Sequence, residues 1–137
     1  MRKTKKQTAK LRENVMKQIS NKDARNAVKA MREFKGSNTF AELRSPHGDT
    51  LTYRYIVFSY GYHFPLFIAE WMDGGQVCWY ENCDRPIFLA NRQTTAKHRA
   101  QLHPHEPTTQ FFTEQMKDIA MVGISGMILK NLTTREG

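Results

Sequence analysis

The order of apolar and polar positions divides the chain into helical ends and a strand-rich middle. Apolar residues recur at helical spacing over 11–19 and over 24–34, which predicts two short helices. Asn21 is the expected N-cap of the second helix, and Gly36 its expected end. The middle is rich in β-branched and aromatic residues, and 51–60 is its strongest predicted strand.

The remaining segments complete an α+β pattern. Further strands are predicted at 39–43, 63–71, 76–80 and 86–90, and their short connections favour antiparallel pairing. Helices are predicted at 94–103, capped by Thr94, and at 108–132. The part of the last helix from 119 to 129 is apolar nearly all round, so most of it is expected to be buried. The prediction is a small antiparallel sheet of about four or five strands, with N- and C-terminal helices covering one face.

The charge distribution changes this picture at one end only. The 137 residues carry a net charge of +8, and residues 1–35 hold 12 Lys and Arg against 3 Asp and Glu. The predicted organisation is a disordered basic arm (1–9) and a basic helical hairpin (10–35) that packs with an α+β core (36–132) as a single domain. Such asymmetry indicates contact with a polyanion.

Composition also narrows the expected environment. No apolar run is long enough for a membrane span, and no apolar segment follows the basic N-terminus as it would in a secretory signal. The sequence therefore predicts a protein of the cytoplasm without membrane contact. Cys78 and Cys83 are expected to be reduced there.

Three groups of residues are candidates for binding nucleic acid. The first is a basic stripe on the second helix, which displaces counterions from phosphates, and the second is an aromatic strand face on which bases stack. The third is a phosphate cradle at the Thr-capped helix start. Ordinary alternatives for the three are a solvated helix face, sheet packing and a capped surface helix. The groups are Arg25, Lys29 and Arg32; Tyr60, Tyr62 and His63; and Arg92, Thr94, Thr95, Lys97, His98 and Arg99.

Metal binding and catalysis have weaker support in the sequence. Cys78, Cys83, His98, His103 and His105 could supply zinc ligands, but their spacing matches no usual zinc site. The acidic residues show no metal-nuclease spacing, and the chain has neither a Gly-rich phosphate loop nor a nucleophile elbow. We therefore expect no cofactor, no metal and no enzymatic activity.

Part of the chain resembles a known family. The segments YIVFSYGYHFPLF (55–67), WYEN (79–82) and TTAKH (94–98) resemble a pattern found in short bacteriophage-encoded domains: Tyr-Ser-Tyr-Gly-x-His-Phe-Pro, then Trp-x-x-Asn, then Thr-Thr-x-x-His. The resemblance covers about 36–103, although the segment between Asn82 and Thr94 is longer than in that pattern. The family is uncharacterised, so the resemblance implies a phage origin and action inside a host cell, but no activity. The matching residues are Ser59, Tyr60, Gly61, His63, Pro65, Trp79, Asn82, Thr94, Thr95 and His98.

These observations lead to one expected function and two alternatives. We expect a non-enzymatic protein that binds RNA or single-stranded DNA in the host cytoplasm. The first alternative is a phage protein that binds and modulates a host protein, with a homodimer also left open. The second is a small nuclease that uses His63 or His98.

Overall fold

The computed structural model describes residues 18–84 and 89–136. The predicted basic arm and the first predicted helix, apart from its last two residues, lie outside the described residues. In chain order the described elements are α1 (Asn21–Lys29), β1 (Phe34–Lys35), β2 (Thr39–Arg44), β3 (Tyr53–Ser59), β4 (Pro65–Trp71), β5 (Cys78–Asn82), α2 (Leu89–Leu102), β6 (Thr108–Phe111) and α3 (Thr113–Glu136).

The described strands form one open mixed sheet in the order β1-β2-β3-β4-β5-β6. The α+β class is confirmed, but the sheet has six strands, and β6 runs parallel to β5. The prediction of a purely antiparallel sheet was wrong because 108–111 was assigned to a helix. Its two threonines, which favour strands, pair instead with Trp79 and Tyr80 of β5.

Helices cover both faces of the sheet. Tyr55 and Val57 of β3 lie in an apolar cluster with residues of α1 and α2. Ile56 and Phe58, which point the other way, lie in a second cluster with Met116 of α3 and its neighbours. The prediction that the helices share one face was therefore wrong, and both faces of β3 are core.

The first described helix is shorter than predicted. Ser20, not Asn21, is the N-cap, and its hydroxyl accepts a hydrogen bond from the Asp23 amide. Gly36 does not end the helix, because Met31 already adopts a left-handed conformation (φ 52°) two residues after Lys29. The amides of Met31 and Arg32 donate to the carbonyls of Val28 and Ala27, which is a Schellman motif. The early end frees the following residues to form β1.

The second helix begins earlier than predicted. Leu89 and Ala90, assigned to a strand from sequence, are the first two residues of α2, whereas 85–88 lie outside the described residues. Thr94 is therefore not an N-cap. The backbone amides of Thr94 and Thr95 lie within the helix, where they bond to carbonyls of the preceding turn.

The last helix bends sharply at Gly123, whose backbone is not helical (φ 79°, ψ 173°). Lys130 reaches Asp118 at 2.9 Å although twelve residues separate them, so the two halves of α3 fold back on each other. Buried side chains of the sheet form hydrogen bonds with the backbone on both sides of this bend. Arg54 donates to the carbonyls of Ala120 and Met121, and Glu70 accepts from the amide of Ile124.

The bend changes which apolar residues of α3 are buried. Ile119 and Met127 lie in the core, but Met121 is 70% exposed and Val122, Ile128 and Leu132 are also exposed. The expectation that 119–129 is mostly buried was therefore wrong, because the helix contacts the sheet along one side of each half only.

Candidate nucleic-acid interface

Basic side chains cover the exposed surface of α1 and the turn after it. Arg25 and Lys29, four residues apart, are exposed, as is Arg32 just beyond the helix end, whereas Ala24 and Val28 are buried. Within the described residues, none of these three cations forms an ion pair with a carboxylate. Arg25, Lys29 and Arg32 are called the α1 basic face below. No carboxylate in the described part of the chain therefore compensates their charge by direct pairing, and the exposed side chains are accessible to an anion.

A histidine loop between α2 and β6 borders the α1 basic face. Arg25 Nη2 lies 3.0 Å from Nε2 of His105, and the His105 amide donates to Nδ1 of His103 at 3.0 Å. Desolvation, and then the charges of Lys29 and Arg25, hold the pKa of His105 below its usual value. Sequence reasoning considered these two histidines only as zinc ligands. Their proximity to α1 depends on the tertiary packing of α1 and α2.

The aromatic stretch forms the end of β3 and the turn into β4. The turn keeps Tyr62 60% exposed and His63 exposed, but the hydroxyl of Tyr62 donates to Glu42. That hydrogen bond raises the pKa of Tyr62. Its ring also packs against Phe58 at 5.0 Å. The strand itself offers no exposed aromatic face, so the predicted stacking surface is reduced to this turn.

Three residues of the phage-like pattern meet beside the same turn. Ser59 Oγ lies 2.9 Å from Nδ1 of His98, and the His98 ring faces Tyr60 at 5.7 Å between centroids. Ser59 is 1% exposed and His98 is 6% exposed, and burial lowers the pKa of His98. The pair therefore has the atoms of a nucleophile and a base, but it lies in the interior, where it joins α2 to β3.

A second buried contact joins further residues of that pattern. Asn82 is fully buried and donates to the carbonyl of Pro65 at 2.9 Å. Arg99 donates from Nη2 to the carbonyls of Asn82 and Asp84, both at 2.9 Å. Asp84 in turn accepts the amide of Thr113 at the start of α3. These residues hold β4, β5, α2 and α3 together.

The predicted phosphate cradle therefore separates into unlike parts. His98 and Arg99 have the interior contacts described above, and Lys97 is exposed on α2. Arg92, Thr94 and Thr95 lie along α2, and their side chains are outside the described part of the structure. The helix does not begin at Thr94, so no positive end of a helix dipole favours a phosphate at Thr94 and Thr95.

The described residues contain no candidate metal site and no candidate membrane span. In 18–84 and 89–136, no three His, Cys, Asp or Glu side chains are grouped so that they could hold an ion. None of the helices described is long and apolar enough to cross a bilayer. No protein family, curated protein or solved structure matches the chain.

Proposed function

We propose that this protein is a non-enzymatic nucleic-acid-binding protein that contacts the phosphate backbone through the α1 basic face. The observation that carries the proposal is the exposure of Arg25, Lys29 and Arg32 without carboxylate partners among the described residues. Lys and Arg side chains in such a setting release condensed counterions when they meet phosphates. The resemblance to phage-encoded domains supports a phage origin and a role in the host cytoplasm.

The basic N-terminal segment supports the same proposal from the sequence. Residues 1–17 contain seven Lys and Arg and one Glu, and they precede α1 in the sequence. We include this segment in the proposed interface on the ground of its charge alone. Because both faces of β3 are core, Tyr60, Tyr62 and His63 are the residues proposed to stack the bases of a single strand. Contacts to phosphates do not distinguish RNA from DNA.

The test is a salt titration of binding with matched charge variants. Fluorescence anisotropy would follow labelled single-stranded RNA, single-stranded DNA and duplex DNA between about 50 and 200 mM salt. Arg25→Ala with Lys29→Ala removes two charges from the α1 basic face. The control, Lys117→Ala with Lys130→Ala, removes the same charge from α3, where both lysines are paired with carboxylates.

We expect the two double variants to differ in the slope of log K against log salt. Loss of two phosphate contacts flattens that slope by about 1.4 for single strands and about 1.8 for duplex DNA, and it weakens binding to all sequences alike. The control should keep a slope close to that of the wild type. Equal effects in the two variants would show that net charge alone matters. An unchanged slope in the Arg25/Lys29 variant would remove α1 from the proposal.

A second candidate function is binding to a protein, either a host protein or a second copy of this chain. The exposed apolar side chains of α3 favour it, because Met121, Ile128 and Leu132 stay in contact with solvent in the isolated chain. Sedimentation of the wild type and of Ile128→Glu over a range of concentrations tests the homodimer. A dimer that the variant abolishes supports self-association, and a monomer at all concentrations removes the second copy as the partner.

A further inference from the structure

The contact between Arg25 and His105 joins a group with donors only to an imidazole. Arg25 Nη2 and His105 Nε2 are 3.0 Å apart. A guanidinium has no acceptor, so His105 Nε2 must supply the lone pair, and the imidazole is neutral with its proton on Nδ1. By the same reasoning, His103 Nδ1 accepts the amide of His105 and carries no proton. Two neutral imidazoles therefore stand beside the α1 basic face.

The surroundings of His105 explain why it is neutral. Desolvation lowers the pKa of His105 most, and the charges of Lys29 and Arg25 on α1 lower it further; a proton on His103, in the same loop, would add to that repulsion. On the sheet side, Glu81 of β5 faces His103, with 3.6 Å between His103 Nε2 and the carboxylate. Before a phosphate binds, the surroundings of His105 thus disfavour protonation of its imidazole.

From this geometry we propose that Arg25 and His105 form a proton-linked phosphate site. A phosphate oxygen of the nucleic-acid backbone replaces His105 Nε2 as the acceptor for Arg25. The freed Nε2 takes up one proton from solvent and donates it as a second hydrogen bond to the phosphate, while Lys29 adds charge beside them. The proposal rests on the proposed function, because it assumes that a nucleic acid reaches the α1 basic face.

A proton taken up on binding makes affinity depend on pH. The negative charge of the phosphate favours the protonated imidazole, so His105 holds its proton more tightly in the complex than in the free protein. Binding must then strengthen as the pH falls, since protons become a reactant. Since the pKa of His105 in the free protein is below 6.5, a rise of about one pKa unit on binding gives up to about sixfold tighter binding at about pH 6 than at about pH 8.

The experiment compares two histidine variants at constant ionic strength. The probe is fluorescein-labelled oligodeoxythymidylate of about 20 nucleotides, measured by anisotropy at about pH 6, 7 and 8. His105→Gln keeps an acceptor for Arg25 but cannot gain the proton. His47→Gln is the matched control, because His47 is also exposed in a loop but lies between β2 and β3. Calorimetry in two buffers of different ionisation enthalpy counts the protons directly.

The expected outcome is a pH response in the wild type and in His47→Gln that is lost in His105→Gln. The calorimetric proton count should fall with it, while His105→Gln still binds at about pH 8. A pH response that persists in His105→Gln, or that is absent from the wild type while binding remains, overturns the proton-linked site and leaves the proposed function standing. If neither this probe, nor RNA, nor duplex DNA binds at any pH in low salt, the proposed function itself is overturned.

Discussion

Arg54 is the residue whose loss tests how the bend in α3 is held. It lies on β3, is 4% exposed, and donates from Nη1 to the carbonyls of Ala120 at 2.5 Å and Met121 at 2.9 Å. These carbonyls end the first half of α3, where a cation also favours the helix dipole. Burial and the charge of Arg44 lower the pKa of Arg54, while the charge of Glu70 opposes that shift and favours the guanidinium.

Replacement of Arg54 by Met keeps apolar volume but removes both hydrogen bonds to α3, together with a longer one of 3.4 Å from Nη2 to the carbonyl of Ser45. Each bond from a charged donor contributes about 1.5–3 kcal/mol, and recovery of the desolvation cost of the guanidinium offsets part of their sum. Because Glu70 also loses a compensating charge nearby, we expect a net loss of about 3–5 kcal/mol in the free energy of unfolding. Arg44→Met is the matched control. Its side chain is partly exposed and makes one 3.2 Å bond to the same Ala120 carbonyl, so it should cost about 0.5–1.5 kcal/mol.

Urea denaturation followed by tryptophan fluorescence measures both variants, and the slope m reports whether unfolding exposes the same surface. A loss in Arg54→Met no larger than in Arg44→Met would refute this account of the bend. A loss of the expected size with an unchanged m would support it. A lowered m would point instead to release of α3 from the sheet before global unfolding, which far-ultraviolet circular dichroism can detect as a separate transition.

Three further perturbations test other parts of the structure. Gly123→Ala should destabilise by about 1–3 kcal/mol more than Gly74→Ala, because both glycines have positive φ but only the methyl at 123 would collide with Glu70; urea denaturation of both measures the difference. Burial lowers the pKa of His98 below its unfolded value. The stability that the neutral imidazole contributes is therefore fully present above about pH 6.5, and it is lost as the pH falls from there through the folded-state pKa. Thermal unfolding of His98→Asn across that range should show a flatter acid limb. Asp84→Ala removes the acceptor for the first amide of α3 and should cost about 0.5–2 kcal/mol in the same urea assay.

Local patterns predicted the strands better than the helix ends. The aromatic and β-branched runs located β3 and β4 to within two residues, because strand propensity and alternation are local properties. The end of α1 was missed because Met31 occupies a left-handed position where glycine is usual. The bend in α3 was missed because it depends on Arg54 and Glu70, which are far away in sequence. Helix propensity alone treated Gly123 as a weak helical residue.

The part of the candidate site that depends on local spacing was predicted, and the part that depends on tertiary packing was missed. Helical spacing was enough to group Arg25 and Lys29 on one surface of α1, and both are exposed. The histidine loop was missed because only the packing of α1 beside α2 brings His105 to Arg25. The predicted cradle at Thr94 failed because it depended on a helix boundary, and boundaries are set by capping contacts that the sequence pattern does not fix.

Several residues of the phage-like pattern form buried hydrogen bonds between elements of the fold. Ser59 bonds to His98, and Asn82 bonds to Pro65, and these contacts are buried at the end of the sheet where β3, β4, β5 and α2 meet. A pattern made of such contacts preserves an architecture, because a buried polar group that loses its partner costs about 1–3 kcal/mol. It says little about ligands, which must bind at exposed groups. The α1 basic face and the histidine loop contribute no residue to that pattern. The proposed binding function therefore depends on these exposed groups and not on the residues of the pattern.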